Sequence, residues 1–156
     1  MKKIAVFPGS YDPFTVGHQE IVDRGLDIFD EIIVALGVNE SKKYMFTTES
    51  RLAHINAIYK DEERVKVAQF KGLTVNLCKE QNANFLLRGI RNVVDLEYER
   101  AIANMNKDMT GIETVFLLAD PSKAMISSSI VRELYKNGAN IASYVTKQEV
   151  LVINKK

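Results

Sequence analysis

The chain has 156 residues, 46% of them hydrophobic, and a formal net charge of +1, which fits one globular domain with a sizeable core. So small a charge excludes a broadly basic nucleic-acid-binding surface, and any anion site must therefore be local. A single cysteine excludes an intramolecular disulfide, and beside only two histidines it leaves no obvious zinc cluster.

In chain order, the apolar run 3–7 predicts a strand, and PGSYDPFTVGH, residues 8–18, predicts the turn after it. Gly9 suits a close backbone approach or a positive φ. Asp12-Pro13 is turn-forming, and Thr15 is placed to cap a helix beginning near Val16 or Gly17. His18 then falls in the first helical turn, beside free N–H groups and the positive end of the helix dipole, which is a natural anion site. That potential favours neutral imidazole, which still donates one hydrogen bond to a phosphate oxygen. Ile21, Val22, Gly25, Leu26 and Phe29 give the helix its apolar face.

The run 31–38 predicts a second strand, followed by Ser41-Lys42-Lys43. Paired loop lysines are ordinarily solvated surface, but at the carboxyl end of a strand Lys42 is a candidate phosphate contact. A helix is expected over 49–59, a third strand over 64–70, and a helix whose face starts with Leu73, Leu77 and Cys78. The fourth strand, 84–88, ends on Arg88, so Arg88-Gly89-Ile90-Arg91 sets two cations at the same rim. Both arginines suit bidentate phosphate binding, or an ion network with Asp95, Glu97 or Glu99. Val94, Tyr98, Ala101, Ile102 and Met105 mark the apolar face of the next helix, expected to pack on the sheet.

A fifth strand over 113–119 leads into DPSKAMISSS, where Ser127, Ser128 and Ser129 precede the helical face of Ile130, Val131, Leu134 and Tyr135. Three serines exceed what one cap needs, and hydroxyls beside exposed N–H groups suit a phosphate cradle. Residues 146–153 are expected to form a short terminal helix. His54 has no partner motif, and Cys78 reads as a small core residue.

Short apolar strands alternating with helices predict a single α/β domain over 1–156. Its expected architecture is an open, Rossmann-like parallel sheet of five strands with helices on both faces. Ligands of such sheets bind beyond the carboxyl ends of the strands, near the switch in strand order. The loops singled out above lie there. No GxxxxGK[ST] and no GxGxxG after a strand occurs, so neither a P-loop enzyme nor a dinucleotide oxidoreductase is supported. The apolar runs are too short to span a bilayer, and MKK at the start lacks signal-peptide character, so no membrane association and a cytoplasmic setting are expected.

PGSYDPFTVGH resembles the PG[ST]FDPxTxGH signature of the nucleotidyltransferase superfamily with (H/T)xGH motifs, and ISSS resembles its second signature. With SKK, LLRGIRNVVDLEYE and ISSSIVREL in order, the chain from about Lys3 onward is similar to the bacterial phosphopantetheine adenylyltransferases. The TxGH string names only the superfamily, whereas RGIRNVVDLEYE points to this family. Ser10 stands here where the signature also allows Thr, Tyr11 replaces Phe, Thr74 replaces a larger apolar residue, and no aromatic precedes ISSS.

The resemblance implies transfer of AMP from ATP to 4′-phosphopantetheine, giving dephospho-CoA and pyrophosphate in coenzyme A biosynthesis. It also implies Mg²⁺, a homohexamer and inhibition by coenzyme A. By position, Ser10 and Lys42 would hold the acceptor phosphate, with Arg88 and Thr74 on the pantetheine substrate. His18 would stabilise the transition state at the α-phosphate, with Lys42 and Arg91 as further catalytic cations. Ser10, Tyr11, His18, Gly89, Ile90, Arg91, Glu99, Lys123, Ala124, Met125, Ile126, Ser127, Ser128 and Ser129 would bind ATP. The rival expectations are a nicotinate-mononucleotide adenylyltransferase, a glycerol-phosphate cytidylyltransferase, a nucleotide-binding regulatory module without catalysis, and a structural scaffold.

Overall fold

The structure, a computed structural model, describes residues 1–155. Five strands form one parallel sheet: β1 (Ile4–Gly9), β2 (Glu31–Gly37), β3 (Val65–Phe70), β4 (Phe85–Ile90) and β5 (Glu113–Leu118). Their spatial order is β3-β2-β1-β4-β5. The chain winds outward from β1 through β2 to β3, then returns to place β4 on the other side of β1. The switch in strand order therefore lies between β1 and β4, where a crevice opens at the carboxyl ends.

Strand alternation builds two core layers. Ala5 and Phe7 of β1 join Ile32, Val34 and Leu36 of β2 on one face, under α1 (Val16–Gly25) and α2 (Thr48–Ile58). Val6, Ile33, Ala35 and Leu86 face the other way, against Val75, Leu77 and Cys78 of α3 (Thr74–Glu80). The register sets Val6 beside both Ile33 and Leu86, so the central strand is buried on both faces. That explains its continuously apolar sequence.

Three expectations need correction. The strand β4 continues to Ile90, so Arg88 lies inside it, opposite Phe116, instead of at its end. The stripe on α4 (Val93–Thr110) is not packed on the sheet: no α4 residue is buried, and Val94 and Tyr98 are 78% and 69% exposed. An apolar period marks a face that is to be covered, and this chain alone does not cover it.

The expected terminal helix over 146–153 is only one 3₁₀ turn, α-helical nowhere, at Gln148–Val150. Val152 and Ile153, β-branched and extended, instead pair with the segment before α2. Thr47 N–H donates to Val152 O at 2.9 Å, and Ile153 forms an antiparallel bridge to Phe46. The last helix, α5 (Ser128–Lys136), buries Val131 beside Ile141 and Val145.

Candidate active site

The turn after β1 is held by its own side chains. Tyr11 takes a left-handed φ of 47° and its hydroxyl donates to Phe7 O at 2.6 Å. A Cβ on Gly9 would stand 2.7 Å from the Tyr11 ring. Gly9 thus makes room for Tyr11 and takes no positive φ; the close approach expected from the sequence is intramolecular. Burial raises the Tyr11 pKa far above its ordinary value, so the phenol remains a donor.

Thr15 caps α1, which begins at Val16 as expected, and shares a reciprocal capping box with His18. The His18 N–H donates to Thr15 Oγ1 at 3.4 Å, while Thr15 N–H donates to His18 Nδ1 at 2.9 Å. Because Nδ1 accepts, the neutral ring carries its proton on Nε2. The rings of Phe7, Tyr11 and Phe14 surround the imidazole at centroid distances of 6.3, 5.1 and 5.3 Å. Burial, and then the charges of Arg88 and Arg91, push the His18 pKa down to about 3. His18 is therefore a neutral hydrogen-bond donor at physiological pH.

Beyond β2, Lys42 reaches back across the crevice and its Nζ donates to Ser10 Oγ at 3.0 Å. From β4, Arg88 Nε and Nη2 donate to the two Glu99 carboxylate oxygens at 2.8 and 2.6 Å, and Nη1 donates to Pro8 O at 2.5 Å. Burial works to lower the Arg88 pKa, but the bonds to Glu99 outweigh it and raise it overall. Arg91 pairs with Asp95, its backbone N–H and Nε both reaching Oδ2 at 3.1 Å. Both arginines thus belong to the ion network that the sequence allowed. Arg91 is the more exposed of the two.

The three serines of the α5 N-terminus divide their work. Ser127 Oγ accepts from Ile130 N–H at 3.2 Å, Ser128 Oγ donates to Pro13 O at 2.8 Å, and Ser129 Oγ accepts from Arg132 Nη2 at 3.2 Å. Only the Ser128 hydroxyl ties α5 directly to the β1 turn; those of Ser127 and Ser129 bond within the helix. The first-turn N–H groups of the helix are left without intrahelical acceptors, at its positive end.

Two cavities meet here. The larger, of about 810 Å³, is lined by Thr74 of α3, by Leu86 and Thr114 of the sheet, and by Tyr98, Ile102 and Asn106 of α4. The smaller, of about 370 Å³, is lined by Tyr11, His18, Gly89, Arg91, Lys123, Ile126 and Ser127 to Ser129. Pro8, Gly9, Ser10, Lys42, Arg88 and Glu99 line both. The structure therefore brings nearly all the candidate residues to one crevice. Three stand apart: Ile90 is buried in the sheet, Met125 is 72% exposed, and Ala124 lines neither cavity. Ile90, the last residue of β4, turns its side chain into the protein interior, and the chain turns Met125 toward solvent.

Sequence reading missed Arg132, which lines the smaller cavity and donates to Asp12 O at 2.9 Å. Its place three residues after Ser129 on the same helix was an available signal. It also took Tyr98 and Ile102 for sheet-packing residues. With Asn106 they recur every fourth residue and form one wall of the larger cavity.

Among the described residues no group of three or more His, Cys, Asp or Glu side chains is arranged to hold a metal ion. Of the carboxylates lining the cavities, Asp95 and Glu99 are each committed to an arginine, Glu40 to Lys71, and Asp12 to the Met45 and Phe46 N–H groups. These residues do not fit a protein-held Mg²⁺. No helix among the described residues is long and apolar enough to cross a membrane.

A parallel sheet with its crevice at the strand switch, bearing a neutral histidine among cations and a helix N-terminus at its rim, defines a nucleotide-handling α/β enzyme. The chain belongs to the cytidylyltransferase-like family, whose model matches residues 6–134, and is a nucleotidyltransferase. Curated relatives named phosphopantetheine adenylyltransferase are 56% identical in Christiangramia forsetii, over 90% of this chain and 92% of that one, and 52% identical in Flavobacterium johnsoniae, over 86% and 88%. One from Bacteroides fragilis is 43% identical over 92% of this chain and 95% of its own. Among solved structures, a nicotinate-nucleotide adenylyltransferase from Vibrio parahaemolyticus, described as putative, superposes with a TM-score of 0.67. It shares 22% identity over 96% of this chain and 97% of that one, a likeness of fold.

Proposed function

We propose that the protein transfers the AMP moiety of ATP to 4′-phosphopantetheine, forming dephospho-CoA and pyrophosphate in coenzyme A biosynthesis. The observation that carries this reading is the junction of the two cavities, where Ser10 and Lys42 lie 3.0 Å apart and belong to both. A hydroxyl and an ammonium group so placed suit an acceptor phosphate. The larger cavity, with an amide at Asn106 and apolar walls at Leu86 and Ile102, suits a long, partly polar arm such as pantetheine. The smaller one, with Arg91, Lys123 and the α5 N-terminus, suits ATP.

The acceptor phosphate is already an anion, so its attack requires no general base. Its oxygen bonds to the α-phosphorus as the bond to the bridging oxygen of the β-phosphate breaks, and pyrophosphate leaves with that electron pair. His18 Nε2–H donates to a non-bridging α-oxygen as charge builds there, while Lys42 and Arg91 offset the repulsion between the two anions. The transfer is direct, without a covalent enzyme intermediate. Mg²⁺ belongs to the same proposal as a companion of the ATP phosphates, since the protein offers it no ligand cluster.

The exposed apolar face of α4 supports assembly with further copies of the chain, as in the homohexamer that the resemblance implies. Coenzyme A, which differs from the product by one phosphate, fits the same pair of cavities as an inhibitor. A cytoplasmic setting accords with Cys78 as a free, buried thiol. Incubating the protein with ATP and a panel of acceptors tests the reading. Adenylylation of phosphopantetheine is expected, and transfer to nicotinate mononucleotide instead would replace it.

A further inference from the structure

Arg51 is the largest fully buried side chain of the protein, on α2 behind the crevice and outside both cavities. Among the described residues it makes no ion pair. Nε donates to Phe46 O at 3.2 Å, Nη1 to Ser10 O at 2.5 Å and Nη2 to Thr48 Oγ1 at 3.2 Å. Its hydrogen-bond acceptors are all neutral, and although the Asp12 and Glu49 carboxylates favour its charge through space, burial outweighs them and lowers its pKa; an apolar residue of similar size would fill the core without that desolvation cost. The presence of Arg51 calls for a role that needs the guanidinium's fixed, planar fork.

Two contacts supply that role. One is the bond to the carbonyl of Ser10, whose hydroxyl lies at the cavity junction. The other is stacking: the guanidinium carbon lies 4.0 Å from the centroid of the Tyr44 ring. Lys42 Nζ lies 5.6 Å from the centroid of that same ring, and Tyr44 Oη accepts from Asn39 N–H at 3.0 Å at the base of the Lys42 loop. Asp12 completes the frame, its carboxylate accepting from Met45 and Phe46 N–H at 2.8 and 2.9 Å. One buried plane thus touches the Ser10 backbone and the ring beneath Lys42.

We propose that Arg51 is a positioning residue for the acceptor phosphate, setting the separation of Ser10 Oγ and Lys42 Nζ from behind without touching substrate. The proposal rests on the acceptor reading of that pair. A lysine at position 51 keeps the charge but loses the fork and the stack, whereas Tyr44→Leu keeps Arg51 and removes the stack together with the hydroxyl that accepts from Asn39 N–H.

The test measures kcat and both KM values, with crystal structures of the variants. In Arg51→Lys the KM for phosphopantetheine should rise and kcat should fall, each about tenfold, with the KM for ATP within about twofold of wild type. Tyr44→Leu should move the phosphopantetheine KM in the same direction, and both structures should show the Lys42–Ser10 contact broken. Ser50→Ala, on the same helix and bonded instead to Thr47 O and Val152 O, should lower the melting temperature and leave that KM alone. Variants with an intact Lys42–Ser10 contact and wild-type phosphopantetheine KM overturn the proposal, and Tyr44→Leu decides it if Arg51→Lys does not fold. If the wild-type protein does not use phosphopantetheine, the acceptor reading fails, and the Lys42–Ser10 separation in the variants still decides whether Arg51 sets it.

Discussion

The backbone N–H of Thr15 donates to Nδ1 of His18 at 2.9 Å, and this bond decides which nitrogen of the imidazole is left to meet a substrate. A peptide donor cannot be titrated away, so the ring is held as the Nε2–H tautomer by the same capping box that starts α1. Helix initiation and the chemistry of the site are one arrangement. The aromatic rings around His18 then keep it neutral by burial.

Replacing His18 by Ala should therefore cost rate and little binding. A fall in kcat of about 10²–10³ is expected, the size seen when one donor to a developing oxyanion is removed. ATP affinity measured by calorimetry should stay within about twofold. Near-normal turnover would remove His18 from the mechanism.

The pH dependence has a definite sign. The folded pKa of His18, about 3, lies below the ordinary 6.5, so between those values the unfolded chain binds the extra proton. Stability is complete above the upper value and falls as pH drops through this window. Unfolding midpoints of His18→Gln should fall less steeply on acidification than those of wild type. His54, also held low by burial, is present in both proteins and cancels. Matching slopes would contradict this, as would an inflection near 6.5 in wild-type kcat.

Thr15 separates the cap from the tautomer. Thr15→Ala removes the hydroxyl acceptor and should cost about 1 kcal/mol, or about 2–4 °C in melting temperature. It keeps the backbone N–H that holds Nδ1, so kcat should change by less than about threefold. A collapse of kcat at nearly unchanged stability would mean that the hydroxyl, at 3.2 Å from Nδ1, orients the ring.

Arg91 and Asp95 form a half-exposed pair that contributes little to stability. Arg91→Ala should leave the melting temperature within about 2 °C and weaken ATP binding about tenfold or more, as expected for loss of a charge-assisted contact. Unchanged ATP affinity would confine Arg91 to its ion pair.

Much of this was legible in the sequence because the signals were local. The Thr15 cap needs only a hydroxyl three residues before His18, and the five strands declare themselves as short apolar runs between polar turns. The site was legible for a topological reason, since candidate residues that follow parallel strands converge at one sheet edge. What depended on distant partners was not legible. Arg51 looks like any helix arginine until the turn at Ser10 closes over it, and nothing local distinguishes Arg88 bound to Glu99 from Arg88 free. The stripe of α4 gave the right period and the wrong neighbour, because periodicity reports a face and not what lies against it.

The stereochemical course at the α-phosphorus is the most direct test of the whole account. The protein would be supplied with one diastereomer of ATPαS and with phosphopantetheine, and the configuration of the thio-substituted dephospho-CoA determined. Direct in-line transfer between two adjoining cavities predicts this product with inverted configuration. Retention, which requires a second displacement through an adenylylated enzyme, or no product from phosphopantetheine at all, would contradict it.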